Sequence, residues 1–285
     1  MFQNDLLKGK NILITGGATG IGFAIADAAS RLGANVFLMS RNEANLQKAV
    51  ESLSGNGVQA GYRVANIRDS IQVKQAIDSL YTEFGHLDVL INNAAGNFLN
   101  RTENISENGF RTIIETVLNG TLNCTTHLGK KWISEGKSGT VLSIVATYAW
   151  TGSAFVVPSA VAKAGVLAMT RSLAVEWGPK GVRMNAIAPG PFLTEGMASR
   201  LMPTEEMVEA VRNKNPLKRL GQLEEIANLA VFLISDGSGF INGEVVTIDG
   251  GEWLMGAGQF SSLMNLGDEF WNFIDGMRQK KVSDL

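Results

Sequence analysis

Asn11-Ile12-Leu13-Ile14-Thr15-Gly16-Gly17-Ala18-Thr19-Gly20-Ile21-Gly22 is the stretch that decides the fold. Its first four residues form a run too short for a buried helix and right for a buried strand. The next eight hold four glycines, and a helical apolar pattern from Ile21 to Leu32 opens at their far end. Glycines between a strand and a helix let backbone N–H groups close on a pyrophosphate at the helix N-terminus. A glycine-rich string alone is equally a structural turn, and it is the strand–helix junction that favours the phosphate reading.

Working outward, apolar runs recur at Asn35 to Met39, Val58 to Val64, Leu87 to Ile91, Val141 to Val145, Val182 to Ile187 and Val245 to Ile248. Amphipathic stretches separate them, at Ala44 to Leu53, Ile71 to Phe84, Val161 to Trp177 and Leu223 to Ile234. This alternation predicts an α/β fold: one doubly wound, Rossmann-like parallel sheet of seven strands with helices on both faces. Residues 1–252 form the expected single domain, and no repeat or shift of composition marks a second one. Residues 253–285 form a C-terminal extension. In it Phe270, Phe273, Ile274 and Met277 give a helix one apolar stripe, to pack on the body or on a neighbouring subunit.

Composition narrows the partners. The 25 basic residues nearly balance the 27 acidic ones, so a nucleic-acid partner is not expected and any phosphate site must be local. The single cysteine, Cys124, excludes an intrachain disulfide and fits a reducing compartment. His86 and His127 are too few and too scattered for a metal cluster, so no metal is expected. Cys124 and His127 lie three apart on one helix and read as core packing, since no oxyanion elements accompany them. Met1 to Lys10 lacks an apolar signal core, and no apolar run reaches the length of about 18 residues that a membrane span needs. A cytoplasmic protein is therefore expected. Its ending, Ser283-Asp284-Leu285, puts an acid where a peroxisomal Ser-Lys-Leu signal has a base.

The second strand ends in Ser40-Arg41, with no acid at the place where an NAD-selective site offers one to the adenosine ribose. A guanidinium there pairs with a 2′-phosphate through charge-assisted hydrogen bonds, so NADPH is the expected cofactor. The plain alternative is a solvated surface arginine.

Six features taken together resemble the short-chain dehydrogenase/reductase family over positions 8 to about 252. They are the Thr15 to Gly22 loop, Asn92-Asn93-Ala94, Asn119, Lys163, Pro189-Gly190 and Asp249-Gly250-Gly251. That family's usual tyrosine, four residues before the lysine, is here Ser159, and its usual serine, thirteen earlier still, is Ala146. The chain resembles the 2,4-dienoyl-CoA reductase branch in this departure. It does so again in Asn92-Asn93-Ala94-Ala95-Gly96-Asn97-Phe98 and in Phe155-Val156-Val157-Pro158-Ser159-Ala160-Val161-Ala162-Lys163. In that branch a tyrosine fifteen residues before the lysine takes over, and Tyr148 stands there.

The resemblance implies NADPH-dependent reduction of a 2,4-dienoyl-CoA to the 3-enoyl-CoA in unsaturated fatty acid breakdown. Asn97 and Tyr148 would hold the thioester oxygen, and Tyr148 would pass the proton. Lys163 would favour the phenolate and hold the nicotinamide ribose, Ser159 would hydrogen-bond within the site, and Asn119 would fix a water or a backbone kink. Cofactor contacts carried over are Thr15, Gly16, Gly17, Thr19, Gly20, Ile21, Gly22, Ser40, Arg41, Asn66, Ile67, Asn93, Ala94, Lys163, Pro189, Gly190, Pro191 and Phe192. Substrate contacts carried over are Arg68, Phe98, Ser106 and Arg200. An acyl-CoA thioester as partner and a homotetramer follow by the same analogy. Three alternatives stay open: a carbonyl (3-ketoacyl) reductase of the same fold, a non-catalytic NADPH sensor, and Tyr148 with Trp150 as loop anchors.

Overall fold

A computed structural model describes residues 2–283, with the side chains of residues 199, 200 and 280–283 outside the description. The chain begins as expected. β1 (Asn11–Thr15) feeds α1 (Gly20–Arg31), then β2 (Asn35–Ser40), α2 (Glu43–Ser54), β3 (Ala60–Val64), α3 (Ser70–Phe84) and β4 (Val89–Asn92). The side chains that start α2 and α3 explain why those helices begin where they do. Asn42 accepts from the Asn45 N–H at 3.0 Å, and Asp69 accepts from those of Ile71 and Gln72 at 2.9 and 3.2 Å.

Two helices follow β4: α4 (Glu107–Ile114), capped by Ser106, and α5 (Gly120–Glu135). They are joined by a π-helical turn over Glu115–Asn119. Then come β5 (Gly139–Ile144), the four-residue α6 (Tyr148–Thr151), α7 (Val157–Trp177) and β6 (Val182–Pro189). Helix α7 starts four residues before the apolar pattern suggested, because Pro158 suits a first turn whose N–H groups lack helical partners. The rest is α8 (Glu195–Arg200), α9 (Glu205–Lys214), α10 (Leu223–Ile234), β7 (Val245–Ile248), α11 (Glu252–Ala257) and α12 (Asp268–Ser283).

All seven strands are parallel, in the order β3-β2-β1-β4-β5-β6-β7. Strand order reverses between β1 and β4, so the crevice opens at the carboxyl ends of those two strands. Register fixes what meets there, since Thr15 lies beside Met39 on one side and Asn92 on the other, and Asn92 lies beside Ser143.

Alternation along β1 sends Ile12 and Ile14 to one face and Leu13 to the other. The first face is covered by α1 and α10, with Ile25, Ile226 and Val231 fully buried. The second is covered by α3 and α5, with Ile77, Leu128 and Trp132 fully buried. Each such side chain stabilises the fold by about 1.5–3 kcal/mol. Trp132 also donates its indole N–H to the Leu87 carbonyl at 2.6 Å, so its one polar atom is satisfied. No helix among the described residues is long and apolar enough to cross a membrane.

The C-terminal extension ends in a helix, and in the single chain its stripe is only partly covered: Phe270 and Ile274 are half-buried, whereas Phe273 is 62% and Met277 50% exposed. Of the ending Ser283-Asp284-Leu285, the last two residues and the Ser283 side chain lie outside the described residues.

Candidate active site

A cleft of about 2000 Å³ runs along the carboxyl ends of the strands. Its floor at the switch point is main chain. Gly16 sits at φ +62, and a Cβ there would stand 2.9 Å from the Ala94 Cα. A Cβ at Gly22 would stand 2.4 Å from Asn93 Nδ2. That amide holds the two loops together, donating to the carbonyls of Thr15 at 3.1 Å and Gly16 at 3.0 Å. The Thr15 hydroxyl accepts from the N–H groups of Asn93 and Ala94 at 3.0 and 3.1 Å and lies 3.3 Å from the Ile91 carbonyl, to which it donates. Gly16, Thr19, Gly20 and Ile21 line the cleft. Thr15, Gly17 and Gly22 do not, and instead shape it from behind. The Thr19 side chain does not cap α1, so the first N–H groups of that helix are left for an anion. This cradle fits the pyrophosphate of a dinucleotide.

At the β2–β3 edge the cleft is lined by Ser40, Arg41, Asn66 and Ile67, and also by Asn42 and Asn45. Arg41 is exposed and has no carboxylate partner among the described residues. Asn66 uses its side-chain oxygen to accept from the Arg68 N–H at 3.2 Å, which leaves its amide NH₂ for a ring nitrogen.

The centre of the cleft is built from β5 and α7. Tyr148 opens α6 and lines the cleft, its hydroxyl 3.1 Å from the Ser159 hydroxyl. Burial pushes the Tyr148 phenol up, and the Ser159 hydrogen bond partly offsets this, so at neutral pH it is a protonated donor. Ser159 and Lys163 are four apart on α7 and so share a face. Ser159 is buried behind the tyrosine and lies outside the cleft lining. Lys163 lines the cleft, donates to the Ile144 carbonyl, and is pushed down to about 8 by burial. Asn97 also lines the cleft. Its side-chain oxygen accepts from the Phe98 N–H at 2.9 Å, which turns the two amide hydrogens outward as donors. Asn93, Ala94, Pro189, Gly190, Pro191 and Phe192 complete the lining near this point.

Two contacts bind the surrounding loops. The Asn100 N–H donates to the Phe155 carbonyl at 3.0 Å, joining the Asn97 loop to the loop after α6. Phe155 is held at φ +66, a region that costs a side-chain-bearing residue energy and persists only where its surroundings enforce it. On the other side of α6, Trp150 meets Trp253 of α11 edge-on at 5.9 Å.

Several expected site residues are not brought to the cleft. The Arg68 guanidinium pairs with Glu115, 47 positions away, on which Arg111 also closes at 3.9 Å. Phe98 packs on the small core around Ile113, Val117 and Val145. Ser106 is spent on capping α4, accepting from the Gly109 N–H at 3.0 Å. Asn119 is exposed and outside the lining. It ends the π-helical turn, so the backbone kink is present but its side chain points away. Arg200 ends α8, and its side chain lies outside the described residues. Cys124 is buried, and His127 shares a 2.9 Å hydrogen bond with Ser70. Sequence reasoning missed Leu99, Thr116, Met197, Lys214, Glu252 and Trp253, all of which line the cleft. In the sequence only the Asp249-Gly250-Gly251 turn before Glu252 and Trp253 pointed toward any of them.

The family model "Enoyl-(Acyl carrier protein) reductase" matches residues 16–252. A Bacillus subtilis protein named probable 2,4-dienoyl-CoA reductase, (2E)-enoyl-CoA-producing, is 44% identical over 87% of this chain and 98% of its own length. A Caenorhabditis elegans protein named probable 2,4-dienoyl-CoA reductase 3, (3E)-enoyl-CoA-producing, is 44% identical over 88% of this chain and 83% of its own. The crystal structure of a short chain dehydrogenase from Bacillus anthracis superposes with a TM-score of 0.78 at 40% identity, covering 85% of this chain and 96% of that one.

Proposed function

Because the chain belongs to the short-chain dehydrogenase/reductase family, and so is an oxidoreductase that binds a nicotinamide cofactor, we propose that it reduces 2,4-dienoyl-CoA to 3-enoyl-CoA with NADPH. The observation that carries this reading is Tyr148: a half-buried phenol facing the cleft, hydrogen-bonded to the serine at the family's usual tyrosine position. The names of the relatives support the dienoyl thioester as substrate, and Arg41, without a carboxylate partner, supports the 2′-phosphate.

Bound in the cradle, the cofactor would supply a hydride for C5 of the diene. Electron density then moves through the conjugated system to the thioester oxygen. The Asn97 amide hydrogens and the Tyr148 hydroxyl stabilise that oxygen as its charge develops. Tyr148 gives up its proton for delivery at the α-carbon, which leaves the double bond at position 3. Lys163 sits charged on the same face of α7 and favours the phenolate so formed. Ser159 orients the hydroxyl through its 3.1 Å bond.

The enzyme works in the cytoplasm on this reading, where Cys124 stays a buried, reduced thiol pushed up to about 12. It assembles as a homotetramer, with Phe110 of α4, Leu122 of α5 and Val161 and Val175 of α7 as the exposed apolar surface a second copy would cover.

The test is to mix protein, NADPH and hexadienoyl-CoA and to identify the product by mass and double-bond position. Bleaching of the diene with NADPH consumed and a 3-enoyl product is the expected result. A 2-enoyl product would move the proton to the γ-carbon. Reduction of a ketoacyl-CoA but not the diene would make the protein a carbonyl reductase, and inertness to both with tight NADPH binding would make it a sensor.

A further inference from the structure

Sheet order gives the cleft a direction. At one edge lie the ends of β2 and β3, with Arg41 in the lining and Arg68 and Arg111 gathered on Glu115 nearby. At the other lie the ends of β6 and β7, where the lining turns apolar with Met197, Leu201, Met202, Val211 and Trp253. Tyr148, which follows β5, stands between them. A CoA thioester is polyanionic at the carrier end and apolar at the other. The cofactor's 2′-phosphate takes Arg41, so the CoA phosphates are favoured at Arg68 and Arg111, whose two charges exceed the one on Glu115, and the acyl tail must then run toward β6 and β7.

Two carboxylates interrupt that apolar path: Glu195, which is exposed to solvent, and Glu252, which is not. Glu252 lines the cleft and is half-buried, and its carboxylate has no hydrogen-bond or ion-pair partner among the described residues. Exposed Lys214, another lining residue, lies within its electrostatic reach but makes no ion pair with it. The backbone that carries Glu252 is firmly set. The Asp249 carboxylate accepts from the N–H groups of Gly251 and Trp253 at 2.8 and 2.9 Å, and the Asn215 amide donates to the Asp249 carbonyl at 2.7 Å. Trp253 is further held by its edge contact with Trp150.

We infer that Glu252 sets the length of acyl chain the cleft accepts: a tail that ends short of it binds on apolar surface, and a longer tail must strip water from an unpaired carboxylate. Desolvation already pushes the Glu252 carboxyl up, in keeping with a group that loses further by being covered. The inference rests on the acyl-thioester reading, but its test does not require turnover.

Saturated hexanoyl-, decanoyl- and tetradecanoyl-CoA cannot be reduced as dienes, and their Kd values for the NADPH-loaded protein can be followed by tryptophan fluorescence. In the wild-type protein, binding should tighten from hexanoyl to decanoyl and then level off or weaken at tetradecanoyl. Glu252→Leu should raise the tetradecanoyl-to-hexanoyl affinity ratio on the order of 10-fold. Glu252→Gln, close in shape and uncharged, should raise it by less and guards against misfolding of the leucine variant. An unchanged ratio in both variants overturns the inference. So does an effect that follows the carrier instead, seen when hexanoyl-CoA is exchanged for hexanoyl-N-acetylcysteamine, and so does a failure of every acyl-CoA to bind. Chain-length selection at Glu252 without turnover of hexadienoyl-CoA would defeat the proposed reaction alone, whereas turnover with an unchanged ratio would defeat the inference alone.

Discussion

At the β1–β3 edge of the cleft a ligand meets mostly main chain, whereas at the β5–β7 edge it meets side chains carried by helices of four to six residues. The first edge is held by a closed set of hydrogen bonds among Thr15, Gly16, Asn93 and Ala94. The second is held by a few separate contacts, such as Tyr148 with Ser159 and Trp150 with Trp253. A backbone site accepts any ligand that has the right phosphate geometry, and a side-chain site is where chemistry is chosen. The difference implies that damage at one edge should cost turnover and at the other cofactor binding, and each of four experiments tries to break that division.

Tyr148→Phe should have the largest effect, lowering kcat by about 10²–10⁴ while the NADPH Kd stays within about twofold. Stopped-flow turnover and fluorescence titration read the two quantities, and turnover near the wild-type rate would remove the phenol from the chemistry. Next, Gly22→Ala should destabilise the fold by about 1–3 kcal/mol and weaken NADPH binding, because its Cβ meets Asn93 Nδ2 at 2.4 Å and the Gly16 carbonyl at 2.6 Å. Urea unfolding with and without NADPH measures both. Wild-type stability would mean that the Asn93 bridge yields freely.

Arg41→Ala should raise the NADPH Kd on the order of 10-fold and leave that for NADH nearly unchanged, the signature of a lost charge-assisted hydrogen bond. Equal losses for both cofactors would return Arg41 to being a solvated surface side chain. The smallest effect is in pH. Lys163 is pushed down to about 8 by burial, so its ammonium is present below that value and lost above it. Turnover should hold on the acid side and fall above about 8. Stability should run the other way, rising from about 8 toward the ordinary lysine value, because there the unfolded chain binds the proton that the folded one has released. A pH–rate profile flat to 10 would show that the ammonium is not needed.

Legibility followed the same division. The strand runs and the glycine loop were readable because sheet and phosphate cradle are local patterns of apolar period and small residues. The start of α7 was misjudged by four residues only because Val157 and Pro158 stand outside the apolar period. The substrate side was readable only in part. Tyr148 and Asn97 were found through the resemblance to the dienoyl-CoA reductase branch, and both line the cleft. The pairing of Arg68 with Glu115 was not legible, because the two are remote in sequence and no period links them. Asn119 was read as fixing a water or a backbone kink; it ends a π-helical turn with its side chain exposed, while Thr116 of the same turn lines the cleft, and no sequence period announces such a turn. Glu252 sits on a helix of six residues, too short to show a pattern.

On the proposed reading, the bond from Asn100 to the carbonyl of Phe155 ties together the loops that carry the two oxygen-facing donors. Asn97 lies three residues before one end of this tether and Tyr148 seven before the other, so a guest that levers one aside drags its counterpart along. Such a jaw grips or releases as a unit. It favours rigid, flat guests, whose oxygen meets both donors at once, over supple ones that satisfy them in turn.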